Sequence, residues 1–237
     1  MAVFGRKKDE PVIEPVRWDL TGSFVVGEVV RPATFRRKAL TGERAVRVPV
    51  MLDGGRYYAP SVLVSRTGEE TPSYRLYEAL EPGTLLCAVS PVKGGARYGV
   101  TDAEGRELGV VHRTPAAKRA IQHGWWIQQS GHPDIVARYN WAKGSAKEIA
   151  TRGKEKAIRG AGELVGSVVD SVLSLGAEGG DQAGGSYTPK PVTWRAEGEE
   201  EDVVLTSGQA EGVRTYLPRA SWLDRRLAFA LAVLREA

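Results

Sequence analysis

The chain has 237 residues, 26% of them charged and 42% apolar, values ordinary for a protein with a packed core. One cysteine excludes an intramolecular disulfide framework, and no apolar run reaches the ~18 residues of a membrane-spanning helix. The net charge of +4 is unevenly spread: residues 1–160 carry 26 Lys and Arg against 17 Asp and Glu, whereas residues 161–237 carry 7 against 12. That asymmetry permits contact with nucleic acid or anionic lipid through the first part, although more often it marks just a solvated surface whose halves attract.

Residues 1–17 are charged, hold Pro11 and Pro15, and are expected to form a flexible tail. No apolar stretch follows the first charges, so no signal peptide is expected; the expected location is cytoplasmic, at most peripheral to a membrane. Residues 18–72 read as a β region that contributes strands. Phe24–Val30 is β-rich, Ala45–Leu52 alternates and stops at the turn signal Asp53-Gly54-Gly55, and Tyr57–Val64 returns beside it. Pro49 and Pro60 cannot donate ladder hydrogen bonds, which predicts an edge position or a bulge for both strands.

From residue 73 the strands come faster. Tyr74–Tyr77 and Thr84–Val89 lead through a Lys93-Gly94-Gly95 turn to Arg97–Thr101, the turn Asp102–Gly105 and Glu107–Val111. Pro115–Ile121 predicts a short helix with Pro in its first turn. Trp125–Gln129, Ile135–Trp141, Val192–Trp194, Asp202–Thr206 and Gly212–Leu217 are further strands. Between them, residues 143–190 break the pattern. Apolar residues recur at helical spacing from Ala146 to Leu175, with Gly153, Gly160, Gly162 and Gly166 weakening that helix and a Gly-rich linker from Gly176 to Ser186. Lys147, Arg152, Lys154, Lys156 and Arg159 precede the apolar part, an arrangement suited to an anionic membrane surface, a protein partner or the protein's own barrel.

The chain ends in Ser221-Trp222-Leu223-Asp224, then Arg225-Arg226, then eight consecutive apolar residues from Leu227 to Leu234. The Ser-x-x-Asp start predicts a reciprocal cap, and a helix over 222–236 follows. With no polar face it must be surrounded by protein, and the fourteen residues from Leu223 to Glu236 rise only about 21 Å, too little to cross a bilayer. Leu227, Phe229, Leu231 and Leu234, with Trp222 at the entry, are the expected structural residues.

Catalytic patterns are missing. His112, His123 and His132 match no metal-ligand spacing, and Lys93–Arg97 lacks the Gly-Lys-Ser/Thr ending of a phosphate loop. No catalytic residue, cofactor or metal is therefore expected. Cys87 lies in Leu85–Val89 and reads as a packed thiol. Basic clusters are the remaining chemistry. Arg36-Arg37-Lys38, Arg113 with Lys118-Arg119, and Arg225-Arg226 could each bind phosphate. Trp125 and Trp126 near the second cluster face opposite sides of a strand, so at most one is exposed.

The stretch Tyr98-x-Val100-x-Asp102-x-x-Gly105-x-x-Leu108-Gly109, the tryptophan strand after it, and the closing Asp224 with its apolar helix resemble the tubby-like C-terminal fold. Within that fold the likeness is to the LURP-one-related and phospholipid scramblase-like proteins. The resemblance covers residues 74–237 and implies a closed antiparallel barrel of about a dozen strands around the buried C-terminal helix; Asp102 and Gly105 would be structural. The fold class expected is thus mainly β, a closed antiparallel β-barrel around a buried C-terminal α-helix, with a helical insertion. The chain departs from the scramblase-like pattern: it has no cysteine cluster for palmitoylation and no transmembrane segment after the helix. Lipid scrambling does not transfer, nor do the phosphoinositide-binding residues of tubby proteins. The expected function is a non-enzymatic binding or scaffold protein. Its contact with anionic lipid or a protein partner would run through Lys147, Arg152, Lys154, Lys156 and Arg159. The alternative is a nucleic-acid-binding module using Arg36, Arg37, Lys118 and Arg119.

Overall fold

A computed structural model describes residues 11–92, 96–114, 124–139, 191–198 and 202–237. Twelve antiparallel strands follow one another around a closed barrel: β1 (Phe24–Arg31), β2 (Leu40–Leu52), β3 (Gly55–Thr67), β4 (Ser73–Glu78), β5 (Leu85–Val92), β6 (Arg97–Asp102), β7 (Glu107–Arg113), β8 (Trp125–Gln129), β9 (Ile135–Tyr139), β10 (Val192–Ala196), β11 (Val203–Ala210) and β12 (Val213–Pro218). Each pairs with its chain neighbours, and β1 closes the ring on β12 through Phe24↔Tyr216 and Val25↔Thr215. Closure leaves no open edge. The β region at 18–72 supplies β1, β2 and β3 of this ring.

One helix, α1 (Arg225–Arg235), fills the lumen, and every residue from Leu227 to Leu234 is buried. Its core partners are the inward faces of the strands, among them Phe24, Val46, Leu76, Val100, Ile127, Trp194 and Leu205. Phe229 meets Phe24 edge-on at 5.0 Å, and Phe24 stacks on Tyr216 at 5.5 Å. Alanines at 228, 230 and 232 keep the helix slim. Gly109 shows how tight the fit is: a Cβ there would stand 2.1 Å from the Gln128 carbonyl oxygen and 3.2 Å from Leu227 Cδ1.

The helix begins differently from the sequence expectation. Asp224, not Ser221, is the N-cap: its carboxylate accepts from Arg226 N–H at 2.9 Å, which satisfies a first-turn amide. Ser221 and Trp222 stand outside the helix because Gln129 holds this approach, donating to the Trp222 carbonyl at 2.8 Å and accepting from Asp224 N–H at 2.9 Å. At the other end Arg44 donates to the carbonyls of Val233 and Glu236, and the Glu236 carboxylate accepts from Tyr216 Oη (2.7 Å) and Arg214 (2.9 Å). Cations beside the last carbonyls also suit the helix dipole.

The prolines resolve as a bulge. The β2–β3 register passes from Val46↔Val62 to Arg47↔Pro60, leaving Ser61 as the extra residue. Beyond it the hairpin folds against the outside of β1, which β3 touches although β2 lies between them in the ring. Arg31 lies over the Tyr57 ring at 5.9 Å, Arg56 pairs with Glu211 in the β11–β12 turn at 3.2 Å, and Val25, Ala45, Tyr58 and Ala59 are buried outside the lumen cluster. The hairpin thus covers the seam where the barrel closes.

Within residues 11–17, part of the expected tail, Val16 N–H donates to the Pro60 carbonyl on β3 at 2.9 Å. The Lys93 turn, the helix at 115–121 and the insertion at 143–190 lie outside the described residues.

Candidate functional site

Among the described residues the lumen is filled by α1, all of whose residues from Leu227 to Leu234 are buried. The surfaces left to describe are the outside and the two ends. In an up-and-down ring the connections alternate between ends; the β2–β3 turn is the exception, because its hairpin folds back over β1 and brings Arg56 to Glu211 in the β11–β12 turn.

The end at which α1 begins is closed by side chains. Trp18 packs on the core, donates from Nε1 to Glu78 at 3.0 Å and lies under Arg226 at 6.0 Å. Arg225 donates to the Thr21 carbonyl, and Thr21 and Ser61 share a hydroxyl hydrogen bond of 3.0 Å. Arg225 and Arg226 therefore serve the mouth and the helix cap. Beside them an open groove of about 460 Å³ is lined by Val16, Arg17, Trp18, Asp19, Ser61, Glu78, Leu80 and Glu81. Its charges are mixed, and Arg17 is paired with Asp19. His132 stacks on Trp222 at 4.4 Å at this same end.

Asp102 and Gly105 build the β6–β7 turn here. Asp102 is 5% exposed, not the solvated turn acid that its neighbour Glu104 is. It accepts from the backbone N–H groups of Glu104 (3.1 Å) and Arg106 (2.8 Å) and from Arg106 Nε (2.7 Å). Burial opposes its charge, yet the bonds from Arg106 and Glu104 outweigh that and hold its pKa below the ordinary carboxylate value. Gly105 supplies the left-handed residue of the turn, at φ +83°.

The opposite end, where α1 finishes, gathers the connections β1–β2, β3–β4, β5–β6, β7–β8, β9–β10 and β11–β12. Arg36 and Arg37 stand there, on the β1–β2 hairpin. Lys118 and Arg119 lie outside the described residues, as do Lys147, Arg152, Lys154, Lys156 and Arg159. The chain that carries them departs from and returns to this same end, after Thr114 and before Gly124 in one case, after Tyr139 and before Val192 in the other. The hairpin tip is closed by two backbone bonds, Thr34 N–H to Arg37 O at 2.8 Å and Arg37 N–H to Thr34 O at 3.2 Å. Phe35 at this tip is fully exposed (103%). Sequence reasoning passed over it, since an aromatic between two strands is equally compatible with a core position; the adjoining Arg36-Arg37-Lys38 was the available signal.

On the outer wall, Trp125 faces the core and Trp126 faces out, where it stacks on His112 at 3.6 Å. His112 Nε2 lies 2.8 Å from Gln128 Oε1, and burial lowers its pKa despite that bond. Among the described residues no group of three or more His, Cys, Asp or Glu is arranged to hold a metal ion. Cys87 is fully buried and desolvation pushes its thiol up to about 12, so it is no nucleophile in this state. Among the described residues no helix is long and apolar enough to cross a membrane.

A scan against models of known protein families finds no match to this chain, and comparison with curated proteins finds none either.

Proposed function

We propose that the protein is a non-enzymatic binding or scaffold protein of tubby-like, scramblase-like architecture that contacts an anionic lipid surface or a protein partner. A helical insertion at 143–190, basic first and apolar after, belongs to this reading. The observation that carries it is the combination of a lumen filled by α1 with the exposed Arg36, Arg37 and Lys38 on the β1–β2 hairpin at one end. A barrel whose interior is helix has its outer surface left for recognition, and Arg36 and Arg37 share an end with the departure points of the Lys118 and Lys147–Arg159 segments. Carboxylates favour the other end: Glu81, Glu104, Asp134, Glu197 and Asp202 all stand in its connections or beside them. Such polarity orients the molecule toward an anionic surface before contact.

The test is co-sedimentation with phosphatidylcholine vesicles, with and without phosphatidylserine. The full chain is compared with a variant in which Lys147, Arg152, Lys154, Lys156 and Arg159 are each replaced by Ser. Binding that needs phosphatidylserine and weakens in the variant is the expected result. Equal binding to neutral vesicles, or none to either, removes the lipid reading. The second reading, a nucleic-acid-binding module, is favoured by Phe35 standing beside Arg36, an aromatic next to a cation. It predicts a steep fall of affinity for an oligonucleotide with salt and loss on changing Arg36, Arg37, Lys118 and Arg119.

A further inference from the structure

Resting on the anionic-surface reading, we propose that the β1–β2 hairpin is the element that enters the bilayer, with Phe35 inserting among the lipid headgroups and Arg36, Arg37 and Lys38 pairing with anionic lipid phosphates. Phe35 is not carried on a slack loop. Thr34 and Arg37 close a two-residue tip, Arg31 Nη2 donates to the Lys38 carbonyl at 3.3 Å, and Pro32 is buried at the base. The backbone therefore holds the ring out in water, and nothing in the fold recovers the cost of exposing it. Arg36, Arg37 and Lys38 are all exposed, and among the described residues none of the three is joined to a carboxylate.

Shape decides which anionic partner fits. Nucleic acid without sequence preference is held in a groove with successive aromatic platforms. Here one aromatic stands on a convex tip, and the other fully described large apolar residues that are exposed (Val12, Leu20, Met51, Leu80, Val92) are aliphatic. An aromatic projecting beyond a basic collar is instead suited to the headgroup layer, where apolar body and cation are both satisfied. Glu69 and Glu70, exposed in the β3–β4 connection at this end, set the limit on approach and keep the contact to the hairpin side.

The experiment places a polarity-sensitive maleimide dye on Phe35→Cys in the full chain; Cys87 is fully buried and does not compete. Labelled protein is titrated with phosphatidylcholine vesicles, with vesicles that also contain phosphatidylserine, and with a single-stranded oligonucleotide. Phe35→Ser and Arg36→Ser/Arg37→Ser/Lys38→Ser are assayed by co-sedimentation beside the wild type, with thermal melts as the control for folding. Expected is a blue shift with phosphatidylserine vesicles only, about tenfold weaker binding for Phe35→Ser, and about fivefold loss per basic residue removed. If the wild type binds these vesicles while the dye is silent and Phe35→Ser binds equally well, the hairpin proposal fails and the anionic-surface reading stands. If the wild type binds no vesicle, both fail. A dye response to the oligonucleotide alone overturns the membrane proposal in favour of nucleic acid.

Discussion

Arg47 is 4% exposed, yet its guanidinium finds three backbone carbonyls: Glu43 O at 2.6 Å, Gly27 O at 3.3 Å and Tyr58 O at 3.3 Å. Tyr58 stands opposite Pro49, which has no N–H, and Gly27 stands where the β1–β2 register shifts. A buried cation is costly, and desolvation lowers its pKa, but carbonyls left without donors at two ladder irregularities would also be costly. Arg47→Ala should destabilise the protein by about 2–4 kcal/mol, and Arg47→Lys should recover little, since an ammonium cannot span three carbonyls as a planar fork does. Urea unfolding midpoints check this; an unchanged midpoint for the alanine variant defeats it. Asp102 gives a pH signature. Its folded pKa is below the ordinary 3.8, so its contribution is complete above that value and lost as pH falls through the folded one. The stability gap between wild type and Asp102→Asn should narrow as pH drops from about 5 to about 2, measured by urea melts across that range. A gap that widens in acid contradicts the assignment.

At the scale of elements, α1 is the core of the barrel as much as any strand. Five large side chains, Leu227, Phe229, Leu231, Val233 and Leu234, are buried on it. At about 2 kcal/mol each they contribute on the order of 10 kcal/mol, comparable with the whole net stability of a domain. Truncation of 222–237 should therefore abolish the cooperative thermal transition; a truncated protein with native far-UV circular dichroism and an unshifted melt would sink this expectation. The β2–β3 hairpin plays a different part. Its Arg56–Glu211 pair is solvent-exposed and contributes little by itself. The buried faces of Tyr58, Ala59 and Val25 hold the hairpin over the seam, where β1 and β12 share only the two register pairs Phe24↔Tyr216 and Val25↔Thr215.

At the scale of the whole molecule, the topology separates charge among the described residues along the barrel axis: the exposed Arg36, Arg37 and Lys38 stand at one end, and Glu104, Glu197 and Asp202 stand in connections at the other. An interaction that rests on this polarity weakens as salt shortens the screening length from about 10 Å at 0.1 M to about 3 Å at 1 M. Binding to phosphatidylserine vesicles should therefore decline steeply over that range, read by co-sedimentation at stepped NaCl. Salt-independent binding would point to apolar contact alone and away from the basic end.

Much of this architecture is legible along the chain because it depends on local pattern. Alternation and turn residues place all twelve strands within a few residues, and Leu227–Leu234, apolar on every side, requires a helix enclosed by protein. The Asp102–Gly105 turn is likewise written in adjacent residues. Other features follow from pairing between distant segments. That β1, β2 and β3 complete the ring, that Pro60 marks a bulge, and that Asp102 is buried all depend on which strand lies beside which. So does the cap: Asp224 displaces Ser221 because Gln129, far away in sequence, takes hold of the approach to the helix. Arg36 and Arg37 could be singled out as charge, but Phe35 could not be singled out as exposed. Exposure is decided by where the closed ring leaves its hairpins, a property that no stretch of residues possesses until the twelfth strand has met the first.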